Sequence, residues 1–189
     1  ADATPLERTF PISSRDAERD ALASELSLAA QYRTDALTTT QDAISATDQA
    51  LQAQRAAEEA KRAAEATRVA AEKAAADELA REQGYAPGTT APKEIARQIA
   101  KNVYGWGDGE FTCYDNIIMR ESNWIVTADN PTSSAYGIPQ ALPGKRMASE
   151  GADWQTNPVT QIKWGLKYVK ERFGTPCQAW AFKRANGWY

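Results

Sequence analysis

The chain has 189 residues, of which 42% are hydrophobic and 25% charged, with a formal net charge of −3 and no histidine. That length fits one domain, or one domain with an appendage, and the small net charge gives no reason to expect a nucleic-acid-binding protein. No stretch approaches the roughly 20 consecutive apolar residues of a membrane span, so we expect a protein that is not membrane-spanning.

Large apolar side chains are concentrated in the second half of the chain. All six tryptophans and both cysteines follow residue 100. Residues 1–92 hold 10 basic and 16 acidic residues (net −6), whereas residues 93–189 hold 12 and 9 (net +3). Because a compact core needs buried apolar area, we predict an extended helical region at 1–84, a linker at 85–92 and a compact domain at 93–189. A mildly basic domain would suit an anionic polymer.

The N-terminal region is predicted to be helical. Residues 1–12 contain two prolines and indicate an irregular lead-in, after which Ser13 is a candidate N-cap for a helix over about 14–38. The three threonines at 38–40 are β-branched and predict a weak point. An Ala-rich stretch without Gly or Pro follows to Gln83, and Gly84 suits the position just beyond the helix end.

The spacing of apolar residues in this region leaves two arrangements open. Leu37, Ile44 and Leu51 lie seven residues apart, but Glu58 and Glu65 come next in that register and do not suit an apolar seam. The alternatives are a helical hairpin or weakly associated, coiled-coil-like alanine helices, and a single solvated helix. Helix-mediated self-association, a protein partner, a spacer role and a restraint on the C-terminal domain are all compatible with this pattern.

The C-terminal half predicts compact α-helices, so the expected fold class is all-α. A glycine-rich run at 105–109 separates a first helix, from residue 93, from a second that starts near 111, and helices follow at 159–173 and after Pro176. The segment 127–158 is polar and rich in turn residues. The apolar faces are formed by Ile95, Ile99 and Val103, by Tyr114, Ile117 and Ile118, and by Ile162, Leu166 and Val169.

The two cysteines, Cys113 and Cys177, favour a structural disulfide. With no histidine and no CxxC spacing they do not indicate a zinc site, and the sequence carries no other metal or cofactor signature. A disulfide would place the protein in an oxidising, exported compartment. Two buried free thiols are the alternative. The opening Ala1, in place of Met, is expected of a processed mature chain or of a trimmed one.

Glu121 is the candidate for chemistry. It ends an apolar helical stretch, one residue before Ser122 and three before Trp124. A carboxyl buried beside an indole favours its neutral form, which could protonate a glycosidic oxygen. The alternative is a solvent-facing Glu or one paired with a neighbour such as Arg120.

The residues after Glu121 carry a family resemblance. Residues 130–140 read NPTSSAYGIPQ, which resembles the lytic transglycosylase signature of Glu-Ser, a Ser/Ala-rich turn and Gly-x-x-Gln. From about residue 93 the chain is similar to actinobacterial lytic transglycosylase domains, and its closing NGWY is also similar to the end of aggregation-promoting-factor domains. Further matching segments are GWG at 105–107, RESNW at 120–124, GADW at 151–154, QIKWG at 161–165 and PC at 176–177.

This resemblance implies a small lysozyme-like fold that cleaves the β-1,4 bond between N-acetylmuramic acid and N-acetylglucosamine in peptidoglycan. It further implies a secreted, cell-wall-associated enzyme that needs no cofactor. Glu121 would act as the acid and then as the base, so that the muramyl 6-hydroxyl closes a 1,6-anhydro ring. Gly137 would let the backbone approach the sugar, and Gln140 would orient Glu121 or the substrate. The remaining substrate-binding candidates are Ser122, Trp124, Ser134, Tyr136 and Tyr168.

Two departures from the family pattern bear on this interpretation. The late Ala-Tyr-Asn element is replaced by AWAF at 179–182. A hydrolase would also need a second carboxylate, for which Asp129 and Asp153 are the candidates. The competing interpretation is a non-catalytic wall-binding or adhesive module with a helical interaction arm.

Overall fold

A computed structural model describes residues 14–189. The predicted lead-in at 1–12 and the N-cap at Ser13 lie outside the described residues. Over 14–189 the structure is helical and contains no strand, which confirms the all-α prediction. The elements are α1 (Ser14–Glu82), α2 (Pro92–Tyr104), α3 (Asp108–Glu121), a 3₁₀ helix (Gly144–Ser149), α4 (Pro158–Phe173) and α5 (Pro176–Asn186).

Within the described range, no helix has the length and apolar character needed to cross a membrane.

The helix α1 is one unbroken element of 69 residues, so the predicted weak point at 38–40 and the helical hairpin are wrong. The threonines lie within the helix, where the hydroxyls of Thr38, Thr39 and Thr40 each donate to the carbonyl oxygen four residues earlier, at 2.8–3.0 Å. No Gly or Pro interrupts the stretch. The single long helix, the other arrangement that the sequence allowed, is the one found, and its residues 14–76 are all exposed.

The described residues divide into two compact units, 14–67 and Arg68–Tyr189. The second unit includes the last turns of α1, where Ala80 is buried. Gly84 ends this helix as predicted, with φ = 90° and its N–H donating to the Arg81 carbonyl at 3.0 Å. The domain boundaries at 84 and 93 stay predictions.

The segment predicted as a linker contacts α2. Asn102 donates to the Gly84 carbonyl at 2.8 Å, and the Ala86 N–H donates to Gln98 Oε1 at 2.7 Å. Tyr85 packs against the hydrophobic core. This segment and the end of α1 are therefore part of the packing of the second unit.

The core of the second unit lies among α2 to α5, with α3 packed mainly on α5 and α2 mainly on α4. The predicted inward residues of α3 and α4 are buried. In α2 the buried face includes Ala96 and Ala100 and excludes Val103. The Val103 side chain is 56% exposed, although the sequence predicted that it would face the core. The core cluster includes Ile95, Ile99, Tyr114, Ile117, Ile118, Ile162, Leu166 and Val169.

A disulfide joins α3 to α5. Cys113 and Cys177 are bonded with a Cα–Cα distance of 4.9 Å and 64 residues of sequence separation. The bond fixes the two helices that pack most closely on each other.

Reduction of this bond is expected to lower the free energy of unfolding of the C-terminal unit by about 2–4 kcal/mol, because it releases a long loop in the unfolded chain. Guanidinium unfolding with and without reductant measures the change, and the Cys113→Ser, Cys177→Ser double variant provides the same state without reductant. An unchanged unfolding midpoint, or two free thiols in the native protein, would contradict the expectation.

Two truncations test the role of the end of α1. Deleting residues 1–67 should leave the unfolding of the C-terminal unit unchanged. Deleting residues 1–88 should lower its free energy of unfolding by about 2–4 kcal/mol, because the burial of Ala80 and Tyr85 and two hydrogen bonds to α2 are lost. Equal stability of the two truncated proteins, measured by chemical denaturation, would show that these contacts contribute nothing.

Candidate active site

A cavity of about 390 Å³ opens at the C-terminal end of α3. Glu121, the last residue of that helix, lies on its wall. The opposite walls come from the turn-rich segment between α3 and α4, from α4 itself and from the last residues of the chain. Lining side chains include Gln140, Arg146, Trp164, Tyr168, Trp188 and Tyr189.

The turn-rich segment is fixed to α4 by one buried amide, that of Gln161. Its Oε1 accepts from the Ile138 N–H at 2.8 Å. Its Nε2 donates to the carbonyls of Val126 and Trp154, at 3.0 and 2.8 Å. Gln161 is fully buried, so these bonds satisfy a polar group that would otherwise be costly in the core. Sequence reasoning gave this residue no role, although a Gln on an apolar helix face needs such partners.

Ser122 holds the same segment from the other side. It is buried, and its Oγ donates to the Ile138 carbonyl at 2.7 Å. The N–H and the carbonyl of Ile138 are therefore both bonded to side chains, one on α4 and one at the end of α3. Ser122 thus supports the segment between α3 and α4 and does not line the cavity.

Gln140 lines the cavity and also supports its own loop. Its φ is 48°, and its Nε2 donates to the carbonyls of Ala128 and Gly137 at 3.1 and 3.0 Å. The amide nitrogen is thus used by the backbone. Gln140 and Glu121 line the same cavity. In the described part of the chain, their two side chains form no hydrogen bond with each other.

The charged partner of Glu121 is Lys183 of α5, which sequence reasoning missed. The Lys183 Nζ is bonded to Glu121 Oε1, and the two side chains are 9% and 19% exposed. The indole expected beside Glu121 lies elsewhere. Trp124 adopts a left-handed conformation (φ = 64°), packs in the core and donates its Nε1–H to Asp115 at 2.8 Å. Glu121 therefore faces a cation rather than the expected apolar ring.

An aromatic wall stands across the cavity. Tyr168 stacks on Trp164, with ring centroids 5.2 Å apart and planes 11° from parallel. The Arg146 guanidinium lies 5.6 Å from the Trp164 ring, on the same cavity. The Tyr189 hydroxyl donates to the Pro139 carbonyl at 2.9 Å, and burial raises the pKa of this phenol well above 10.

Besides Ser122 and Trp124, three further predicted site residues lie away from this cavity. Ser134 and Tyr136 line a neighbouring cavity of about 270 Å³, where the Tyr136 hydroxyl donates to the Gln155 carbonyl at 3.0 Å. Gly137 (φ = 74°) faces α4, where a Cβ would lie 2.6 Å from Gln161 Oε1. The close backbone approach at Gly137 is therefore to the Gln161 amide.

Neither of the two acids considered as second carboxylates lies on the Glu121 cavity. Asp129 lines the neighbouring one. Asp153 accepts hydrogen bonds from Asn157 and Thr160, both at 2.7 Å, and these bonds lower its pKa. Asp153 thus stabilises the start of α4 through these hydrogen bonds.

The substitution Gly137→Ala is expected to lower the free energy of unfolding by about 2–4 kcal/mol, because the new methyl would collide with Gln161 at a left-handed backbone position. Gly109→Ala is the matched control, since Gly109 lies in α3 with no atom within 4 Å of its Cβ position. That change should be neutral or slightly stabilising. Similar unfolding midpoints for the two variants would contradict the assignment of Gly137 to packing.

Among residues 14–189, no cluster of three or more His, Cys, Asp and Glu side chains could hold a metal ion. Comparison of the chain with protein-family models, curated proteins and solved structures gives no match. The geometry of the Glu121 cavity is therefore the basis for interpreting what the site does.

Proposed function

We propose that the Glu121 cavity cleaves the β-1,4 bond between N-acetylmuramic acid and N-acetylglucosamine in peptidoglycan, as a lytic transglycosylase. The observation that carries this proposal is that Glu121 is the only Asp or Glu among the described residues that line the cavity. It stands opposite an aromatic wall and beside amide and hydroxyl groups. Such a site can stack a sugar ring and bind its polar substituents.

The reaction needs only one carboxyl group. Glu121 donates a proton to the leaving oxygen, and its carboxylate then accepts the proton of the muramyl 6-hydroxyl as that oxygen attacks the anomeric carbon. Hydrolysis by two carboxyl groups would require a second one about 5–9.5 Å away across the bond. Asp129 and Asp153 are placed elsewhere, which favours the intramolecular acceptor over water.

The cavity suits a glycan in size and lining. Its volume of about 390 Å³ lies within the usual range for small-molecule sites. Trp164, Tyr168 and Tyr189 offer ring surfaces to the apolar face of a sugar, and Asn130 and Gln140 offer amides to hydroxyl or acetamido groups.

The disulfide supports export. A bond between Cys113 and Cys177 persists in oxidising compartments, where peptidoglycan is also found. We therefore propose a secreted, cell-wall-associated protein. The exposed residues 14–76 of α1 would serve as a spacer or as a surface for self-association or for a protein partner.

One observation favours a second candidate, a non-catalytic wall-binding or adhesive module. Glu121 is already engaged by Lys183, and a carboxylate held in a permanent ion pair would contribute to binding without turnover. Such a protein would retain the aromatic wall and the glycan specificity.

Mass spectrometry of soluble products from purified peptidoglycan distinguishes these functions. Wild-type protein is expected to release fragments that end in 1,6-anhydromuramic acid. Glu121→Gln should reduce their release by about 10²–10⁴-fold, since the amide cannot donate an acid proton. The fold should persist because the amide oxygen still accepts from Lys183.

Glu72→Gln, on the exposed part of α1, is the matched control and should retain full activity. Reducing-end muramic acid in the products would identify a hydrolase instead. Glycan binding without any products would favour the adhesive module.

A further inference from the structure

The burial of Lys183 requires an explanation. Lysine is among the residues least often buried, and its flexible side chain normally carries the ammonium group to water. Here the side chain is 9% exposed and ends at Glu121 Oε1, with the Tyr189 ring 5.5 Å from Nζ. A buried charge is costly unless it is paired, so the position of this ammonium depends on Glu121.

The geometry separates the two oxygens of the carboxylate. Oε1 is occupied by Lys183, whereas no hydrogen bond to Oε2 is formed within residues 14–189. Glu121 lines the cavity and Lys183 does not. Lys183 contacts two residues of the cavity, Glu121 through Oε1 and the Tyr189 ring, and Oε2 is the Glu121 oxygen left to exchange a proton with a bound glycan.

We propose that Lys183 is a positioning residue that fixes Glu121 through Oε1 and supplies the proton that Glu121 delivers to the glycan. This inference rests on the proposed function. In the ion pair the proton is held on Lys183 Nζ. As the glycan bond begins to break, Nζ gives a proton to the Glu121 carboxylate, and the carboxyl group so formed protonates the leaving oxygen.

Every proton that is transferred during one turnover is accounted for. The bond from the anomeric carbon to the leaving oxygen breaks, and a bond from the leaving oxygen to hydrogen forms. The muramyl 6-oxygen then bonds to the anomeric carbon and loses its proton to the Glu121 carboxylate. That proton returns to the neutral Lys183 amine, so the ion pair is restored without a net proton from solvent.

Arg146 of the 3₁₀ helix, Tyr168 of α4 and Tyr189 near the chain end line the cavity together with Glu121, and Tyr114 of α3 interacts electrostatically with Tyr189. Burial raises the pKa values of Tyr114 and Tyr189 above their ordinary range, so both phenols stay neutral through the pH range of the test.

The test compares Lys183→Met with wild-type full-length protein on soluble, uncross-linked glycan chains at pH 5 and pH 8. Methionine preserves the length and packing of the side chain but carries no proton. The proton delivered to the glycan must then come from solvent, which supplies it less readily as the pH rises. We expect kcat to fall about tenfold or more at pH 8 and about threefold or less at pH 5, with KM unchanged at both.

Two further variants make the result specific. Lys170→Met, the same substitution at an exposed position of α4, should leave kcat and its pH dependence unchanged. Lys183→Arg keeps a cation that can bond Glu121, but a guanidinium does not give up its proton, so kcat at pH 8 should fall about tenfold or more, as in Lys183→Met. Thermal unfolding followed by circular dichroism shows which variants are folded. If Lys183→Met is not folded, Lys183→Arg is compared with the wild type in its place.

The outcomes separate this inference from the proposed function. Wild-type turnover with equal or higher kcat for Lys183→Met at pH 8 would overturn the role of Lys183 alone. So would a loss of the same size at both pH values for Lys183→Met, or a folded Lys183→Arg variant with wild-type kcat at pH 8. Absence of products from the wild type would overturn the proposed function, and this inference with it.

Discussion

The buried amide of Gln161 is the interaction on which the candidate site depends. The segment between α3 and α4 has no strand or α-helix to hold it, and its backbone groups must find other partners. Gln161 bonds the segment at Val126, Ile138 and Trp154, and Ser122 bonds the Ile138 carbonyl. This places Gln140 and the aromatic wall opposite the end of α3. Gly137 is required at the same point, because any side chain there would displace the amide.

The second constraint is the attachment of α3 to α5. The Cys113–Cys177 bond fixes the two helices at one level, and the Glu121–Lys183 pair joins them again further along. The carboxylate is therefore positioned by two helices rather than by a mobile loop. Tyr189, which follows α5, contacts Lys183 and bonds the Pro139 carbonyl, so the same arrangement also positions one wall of the cavity.

Much of the fold could be predicted because it is encoded locally. Regular apolar spacing, helix-initiating prolines and terminal glycines mark α2, α4 and α5, and the two cysteines formed the favoured bond. The sequence left a single α1 and an interrupted one open, because three threonines at 38–40 lower helix propensity by only a few tenths of a kcal/mol each, too little to end a stretch without Gly or Pro. The partners of Glu121 and of Gln161 lie 62 and 23 residues away in the chain, so only the tertiary structure reveals them. Trp124 is close to Glu121 in sequence, yet its backbone conformation turns it into the core.

We propose that a glycan lies between the Glu121 carboxylate and the aromatic wall of Trp164 and Tyr168. A crystal structure of the Glu121→Gln variant with a peptidoglycan tetrasaccharide would show this placement. We expect a glycosidic oxygen within about 3 Å of the side chain at position 121, with Lys183 still bonded to that side chain and a sugar ring against Tyr168. A tetrasaccharide bound only outside this cavity, for example in the neighbouring one at Tyr136, would rule this placement out.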